Sequence, residues 1–365
     1  MNRRGIITGL ALWLAASLAA FHMDACSASS GAVDRWQVLS EATGGHPTSF
    51  NSLVFFDELN GLGLTALALV NTNDGGRNWT PVLESAGTRG FYAMWFSDQQ
   101  RGWILGTERM SAASGVSSST QKSKPLMLKT NDGGTTWLTV NLNDLSSFAG
   151  ANFTLFSSMC VDPSGKAWIV GDAGIVEGTI ESDKLRTISF TGSSRALNSV
   201  ACDKAQQVWA VGDGGLIMRY QGQQWRTTPY AHVGSYFLRV KIVGPEVWLA
   251  GGTSRNGQAG NRGLLLSSRN GQDWEDRTPP ASETLYDLEL KGSEGWVVGA
   301  GGGIYHTGNG GLSWAKVRSP TNNDLLAIFF RDEREGWIGG DKLIVLGLNS
   351  NLLATPRTAR SWRLL

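Results

Sequence analysis

The chain has 365 residues and balances 32 Lys and Arg against 31 Asp and Glu, so its formal charge of +1 gives no whole-molecule argument for a nucleic-acid partner or an acidic surface. Any charged site must be local. Only 17% of residues are charged, against 47 glycines and 15 tryptophans, which suits many short strands joined by tight turns and anchored by large apolar side chains.

The first element, residues 1–28, reads as an export signal. Asn2-Arg3-Arg4 precedes an uncharged run from Gly5 to Phe21 and then small residues. The run is too short and interrupted for a permanent membrane span. Arg3-Arg4 before Gly5-Ile6-Ile7 loosely resembles a twin-arginine signal, although ordinary secretory signals carry such pairs too. Cys26 stands where a bacterial lipoprotein carries its lipid, but Asp24 fits that motif poorly and cleavage after Ala28 competes with it. The expectation is export to a periplasm or thylakoid lumen, with a lipid anchor at Cys26 or peripheral membrane contact both open.

Residues 29–48 hold Asp34-Arg35-Trp36-Gln37-Val38-Leu39, which resembles the end of a repeat such as Trp79-Thr80-Pro81-Val82-Leu83 yet precedes the first full copy. From 49 to 365 one unit recurs: an apolar strand, a turn, a Trp followed by apolar residues and Gly, another strand, and a Gly-rich turn that ends in Trp. The copies centre on Leu62, Trp103, Trp168, Trp209, Trp248, Trp296 and Trp337. From 62 to 103, 168 to 209 and 296 to 337 the step is 41 residues, and from 209 to 248 it is 39. The two longer steps contain Ser111–Ser123 and Ser254–Gly263, which read as loop insertions. A period of about 40 with strand patterning points to propeller blades. Seven copies predict an all-β, seven-bladed β-propeller of four-stranded antiparallel blades. The strand over 34–39 would complete the last blade and remove an exposed edge, with Ser361–Leu365 as its competitor.

Two full Asp boxes close the third strands of their repeats: Thr72-Asn73-Asp74-Gly75-Gly76-Arg77-Asn78-Trp79 and Thr130-Asn131-Asp132-Gly133-Gly134-Thr135-Thr136-Trp137. Asn309 replaces Asp in the copy ending at Trp314, and the copy from Ser268 through Asn270 to Trp274 is one residue shorter. Asp74, Asp132, Asn270 and Asn309 read as turn formers, with Trp79, Trp137, Trp274 and Trp314 as the pins. One carboxylate per loop is too few for a calcium cage. No metal-ligand spacing appears, and no cofactor is expected. Gly212-Asp213-Gly214-Gly215 follows a strand but leads into another strand, so it is no dinucleotide fingerprint.

These repeats resemble the bacterial neuraminidase repeat superfamily. Within it, Leu326-Ala327-Ile328-Phe329-Phe330-Arg331-Asp332 through Glu335-Gly336-Trp337-Ile338-Gly339-Gly340, with the Asp boxes, is most similar to the photosystem II assembly and stability factors of oxygenic phototrophs. The resemblance covers residues 34 to 365. It implies a non-catalytic exported propeller, monomeric, that binds a membrane-protein assembly intermediate of photosystem II. One departure is that the arginines are scattered rather than gathered in the family's basic patch.

Enzymes of the superfamily set the alternative. A sialidase would carry an Arg-Ile-Pro motif, which is absent. A xyloglucanase-like glycosidase needs two facing carboxylates, and Asp287 and Glu289 lie two residues apart on one side of the first strand of the sixth unit. Arg239 and Lys241 hold the equivalent positions in the fifth unit, so a structural pairing is expected instead. Cys160 and Cys202 align one position apart on adjacent first strands, hence on opposite strand faces, and are expected to stay unpaired. The end of the ring opposite the Asp boxes carries Arg89, Arg195, His232, Tyr236, Arg255 and Arg262 together with the Ser111–Ser123 insertion, and it is the expected recognition face.

Overall fold

Antiparallel pairing of each strand with the next builds seven four-stranded sheets, the blades of a propeller. The computed structural model describes residues 36–41, 49–109, 123–142, 155–172, 174–180, 184–188, 195–228, 230, 234–255, 258–332, 335–342 and 345–348. All lie in one unit, Val33–Leu365. Cys26 and Ser361–Leu365 lie outside the described residues. Among the described residues no helix is long and apolar enough to cross a membrane.

The first strands are Phe50–Phe55, Arg89–Phe96, Phe156–Val161, Leu197–Cys202, Ser235–Val243, Leu285–Lys291 and Leu325–Phe330. Each contacts the first strands of both neighbouring blades, and the cycle closes from blade seven to blade one. The six tryptophans of the repeat sit on the second strands Gly102–Arg109, Lys166–Gly171, Val208–Gly212, Glu246–Arg255, Glu294–Gly299 and Gly336–Gly340, as expected. Leu62 takes that place in Gly61–Thr65 of blade one. These strands read as continuous apolar runs because both of their faces are covered. Val208–Gly212 and Gly336–Gly340 are buried at every position.

The ring closes through the N-terminal strand. Gln37–Ser40 pairs antiparallel with Val345–Leu348 as the outermost strand of blade seven, Gln37 opposite Gly347 and Val38 opposite Leu346. Trp36 is buried and packs edge-on against Trp296, ring centres 5.3 Å apart.

The Asp boxes are turns held by their own side chains. Asp74 Oδ1 accepts from Thr72 Oγ1 at 2.9 Å and from the backbone N–H groups of Arg77 and Asn78 at 3.0 and 2.9 Å. Trp79 Nε1 donates to Gly76 O at 3.0 Å. Asp132 and Trp137 repeat the pattern, and Asn309 and Asn270 accept backbone N–H groups as neutral substitutes.

Each box also grips the blade before it. Trp337 of blade seven donates from Nε1 to Gly75 O of blade one at 3.0 Å. A Cβ on Gly271 would lie 2.1 Å from Trp209, and one on Gly311 2.3 Å from Trp248. Gly134 packs in the same way on Leu62. Blades three and four have no box. Over Trp168 there lie instead the Lys166 ammonium, 4.0 Å from the ring centre, and Tyr220 of blade four.

Contrary to the expectation that they stay unpaired, Cys160 and Cys202 form a disulfide, with Cα atoms 5.9 Å apart. Their alignment on opposite strand faces is right, but its consequence is the reverse of that expected. In a propeller one face of a blade packs on the opposite face of the next. Met159, Ala167 and Ile169 of blade three turn toward blade two, whereas Cys160, Trp168 and Val170 turn toward Leu197, Val200 and Val208 of blade four. Opposite faces on adjacent blades are therefore the ones that meet.

Candidate binding face

Strand alternation puts the entry to each first strand and each second-to-third turn at the end opposite the Asp boxes. Arg89 opens the first strand of blade two, its Nε 3.1 Å from Glu108, which also meets Lys124 Nζ at 3.1 Å. The hydrogen bond from Lys124, and then that from Arg89, hold the Glu108 carboxyl below the usual carboxylate range against the effect of burial. Arg195 is exposed, and its Nη1 donates to Gly214 O at 2.7 Å. Gly214 has φ +63°, and a Cβ there would stand 2.6 Å from the guanidinium carbon, so glycine suits this turn on both counts. Gly214 belongs to a single 3-10 turn, Asp213–Gly215, between two strands. The Tyr236 hydroxyl lies 2.8 Å from Thr284 Oγ1 and bridges blades five and six.

Arg255 and Arg262 lie on a hairpin where the sequence suggests a loop. The second and third strands of blade five run on as Glu246–Arg255 and Gln258–Ser268, with Thr253 opposite Arg262 and Arg255 opposite Gln258. The insertion is thus an extension of paired backbone beyond the neighbouring blades. In blade two, Gly102–Arg109 and Ser123–Thr130 are also long, at 8 residues each. His232 and residues 111–122 of the other insertion lie outside the described residues.

The sequence reading missed a rim of bulges. All seven first strands shift register at one equivalent place, leaving Asn51, Tyr92, Ser157, Asn198, Leu238, Tyr286 and Leu326 as the extra residue. None of the seven is buried, although the residue before each is. A bulge re-aims its side chain, and the only signal in the sequence is a polar or large residue between two core positions. Carboxylates share this rim. Asp213 accepts from Asn198 at 2.9 Å, Asp324 from Tyr286 at 3.0 Å and Asp341 from Ser49 at 2.5 Å. Burial first, and then the bond to Asp324, pushes the Tyr286 hydroxyl above its ordinary range. The end is therefore of mixed sign, with hydrogen-bonding groups and carboxylates along the bulge rim and arginines beside them.

The two acids weighed as a glycosidase pair have the partners expected of them. Arg239 Nε lies 2.9 Å from Asp287 Oδ1, within ion-pair distance but off-line for a hydrogen bond, and Lys241 Nζ donates to Glu289 at 2.6 Å. Asp287 also accepts the backbone N–H of Leu288 at 2.9 Å and that of Ile328 in blade seven at 3.2 Å. Ser158 and Ser199 make the same link to the next blade through Val200 and Val240, both at 3.2 Å. Asp287 is thus a charged version of an inter-blade tie. Although burial opposes it, the ion pair with Glu289 holds the Lys241 ammonium above the usual lysine range.

At the Asp-box end a cavity is lined by Glu289, Lys291, Glu294, Trp296, Phe330 and Asp332. His306, which has no partner motif in the sequence, contacts Glu294 at 2.6 Å and packs on Trp296. Asp332 is 3.6 Å from Arg331, so each carboxylate lining the cavity has a basic partner. Among the described residues no group of three His, Cys, Asp or Glu side chains could hold a metal ion.

No family model matches the chain. It is 24% identical over 314 residues to the chloroplastic photosystem II stability/assembly factor HCF136 of Arabidopsis thaliana, covering 77% of this chain and 70% of that protein. Among solved structures, YCF48 bound to a D1 peptide superposes with a TM-score of 0.63 at 19% identity, covering 87% of this chain and 97% of that one. The same fold carries enzymes: the GH74 enzyme of Niastella koreensis gives a TM-score of 0.61 at 13% identity, over 84% of this chain and 52% of that one. By sequence the chain is similar to a photosystem II stability/assembly factor, and by structure it has the propeller fold of YCF48.

Proposed function

We propose that this protein is a non-catalytic, exported assembly scaffold that holds a membrane-protein intermediate of photosystem II on the ring end opposite its Asp boxes. The observation that carries the reading is the similarity, over most of both chains, to a factor named for photosystem II stability and assembly. The solved structure of YCF48 bound to a D1 peptide supports a peptide of such an intermediate as the ligand. Paired acids support the absence of catalysis, since Asp287 and Glu289 are occupied by Arg239 and Lys241. Fold alone does not decide between scaffold and hydrolase.

The test is capture of partner from the membrane fraction of an oxygenic phototroph. Reversing charge at Arg195 and Arg262, both exposed, is expected to abolish capture while the melting temperature holds, because exposed changes cost little stability. Full capture by that variant, together with loss of capture in a folded Asp74→Ala/Asp132→Ala variant, would place recognition at the other end. Glycan hydrolysis that survives purification and disappears in Asp287→Asn would replace the scaffold reading with a hydrolase.

A further inference from the structure

The disulfide between Cys160 and Cys202 joins the first strands of blades three and four, the two blades that lack an Asp box among those followed by a complete repeat. Where a box is present it grips the preceding blade, as Gly75 does with Trp337 and Gly271 with Trp209. Cys202 ends its strand and Cys160 is one residue short of the end of its own, so the bond lies at the Asp-box end of the ring. It therefore stands at a junction without that grip.

We propose that Cys160–Cys202 is a reversible thiol–disulfide latch on the junction of blades three and four, opened by a dithiol reductant that attacks Cys202. Access decides which sulfur is attacked: Cys160 is 4% exposed, whereas Cys202 is half-buried. A thiolate of the dithiol bonds to Cys202 Sγ, the protein S–S bond breaks, and Cys160 leaves as a thiolate that takes up a proton. The second thiol of the reductant then displaces Cys202. The protein gains two electrons and two protons as two thiols, and the dithiol is oxidised to its disulfide. Trp168, Val170, Val200 and Val208 remain packed across the junction, so reduction loosens it without dismantling the ring.

The equivalent positions supply tolerated substitutions. Cys160 stands opposite Trp168 as Ala201 stands opposite Trp209, and Cys202 matches Val161 in the same way. The protein is treated with dithiothreitol well below its melting temperature, thiols are counted by alkylation, and amide exchange is mapped. A gain of two thiols, at Cys160 and Cys202, is expected in folded protein, with exchange about tenfold faster confined to the first and second strands of blades three and four. Cys160→Ala should leave a Cys202 thiol that is alkylated in the native state, and Cys202→Val a Cys160 thiol that is alkylated only on unfolding. The double variant should show the reduced exchange pattern without reductant. A bond that survives until global unfolding, equal exchange in both redox states, or faster labelling of Cys160 overturns the proposal.

Discussion

Asp132 shows what one carboxylate does in a turn. Its pKa falls from 3.8 to about 2, chiefly through the Thr136 side-chain hydrogen bond and then through the Thr136 backbone N–H and Thr130. Because the folded value lies below the ordinary one, the stabilisation is complete above about pH 4 and is lost as pH falls toward 2. Asn309 fills the same role without charge, so Asp132→Asn should keep the turn and lose this pH dependence, whereas Asp132→Ala should lower stability at every pH. Urea midpoints measured at pH 6, 4 and about 2.5 separate these outcomes, and parallel curves for native protein and Asp132→Asn would contradict the assignment. Asp287 makes a different case. Asp287→Ala leaves Arg239 without its ion-pair partner and removes the acceptor of the Ile328 N–H, at a cost of about 3–5 kcal/mol. Arg239→Ser/Asp287→Ser should recover most of that loss, since Ser199 already ties two blades at this position; a double variant no better than Asp287→Ala would refute the tie.

At the scale of the element, the Asp box does more than reverse the chain. Gly271 has φ +74° and lies against Trp209 of the blade before, so Gly271→Ala meets both backbone strain and overpacking and should cost about 1–3 kcal/mol. Gly222→Ala is the control: its φ is +59° but nothing lies within 4 Å of a Cβ there, so it should carry the backbone cost alone. Equal falls in melting temperature for the two variants would mean that the contact with Trp209 carries no energy. The turn chemistry of the box was legible from Thr, Asp and Gly at fixed spacing. Its grip on the neighbouring blade was not, because the ring under Gly271 comes from Trp209, sixty-odd residues away. The same limit hid the blade-five hairpin, whose Gly and Asn residues suggest a loop although Thr253 and Arg262 pair as strand partners.

For the whole molecule the decisive feature is closure. Gln37–Ser40 covers the edge of Val345–Leu348, and Trp36 fills the space beside Trp296 and Phe330. Trp36→Ala should therefore cost about 3–5 kcal/mol, as for a large buried aromatic. Removing every residue before Glu41 should in addition expose that edge and produce concentration-dependent association, read by light scattering. A monomeric, equally stable truncation would mean that another segment completes the blade. Closure also makes the ring a rigid frame, and on such a frame the arginines, the long blade-five hairpin and the bulge rim form one face.

Turn chemistry, blade number and most strand positions were legible in the sequence because each depends on a short, repeating pattern along the chain, whereas the choice of closing strand between residues 34–39 and Ser361–Leu365 was settled only by the pairing of Gln37–Ser40 with Val345–Leu348. Even the pairing of Arg239 with Asp287 and Lys241 with Glu289 was legible, since long side chains at equivalent positions of adjacent first strands can reach one another. The tertiary structure alone decided which faces meet. It brought Cys160 to Cys202 from opposite strand faces and set Gly271 on Trp209 and Gly311 on Trp248. The physical reason is that blades stack front to back, so contact between short side chains follows the rotation of one sheet onto the next, which no local periodicity encodes.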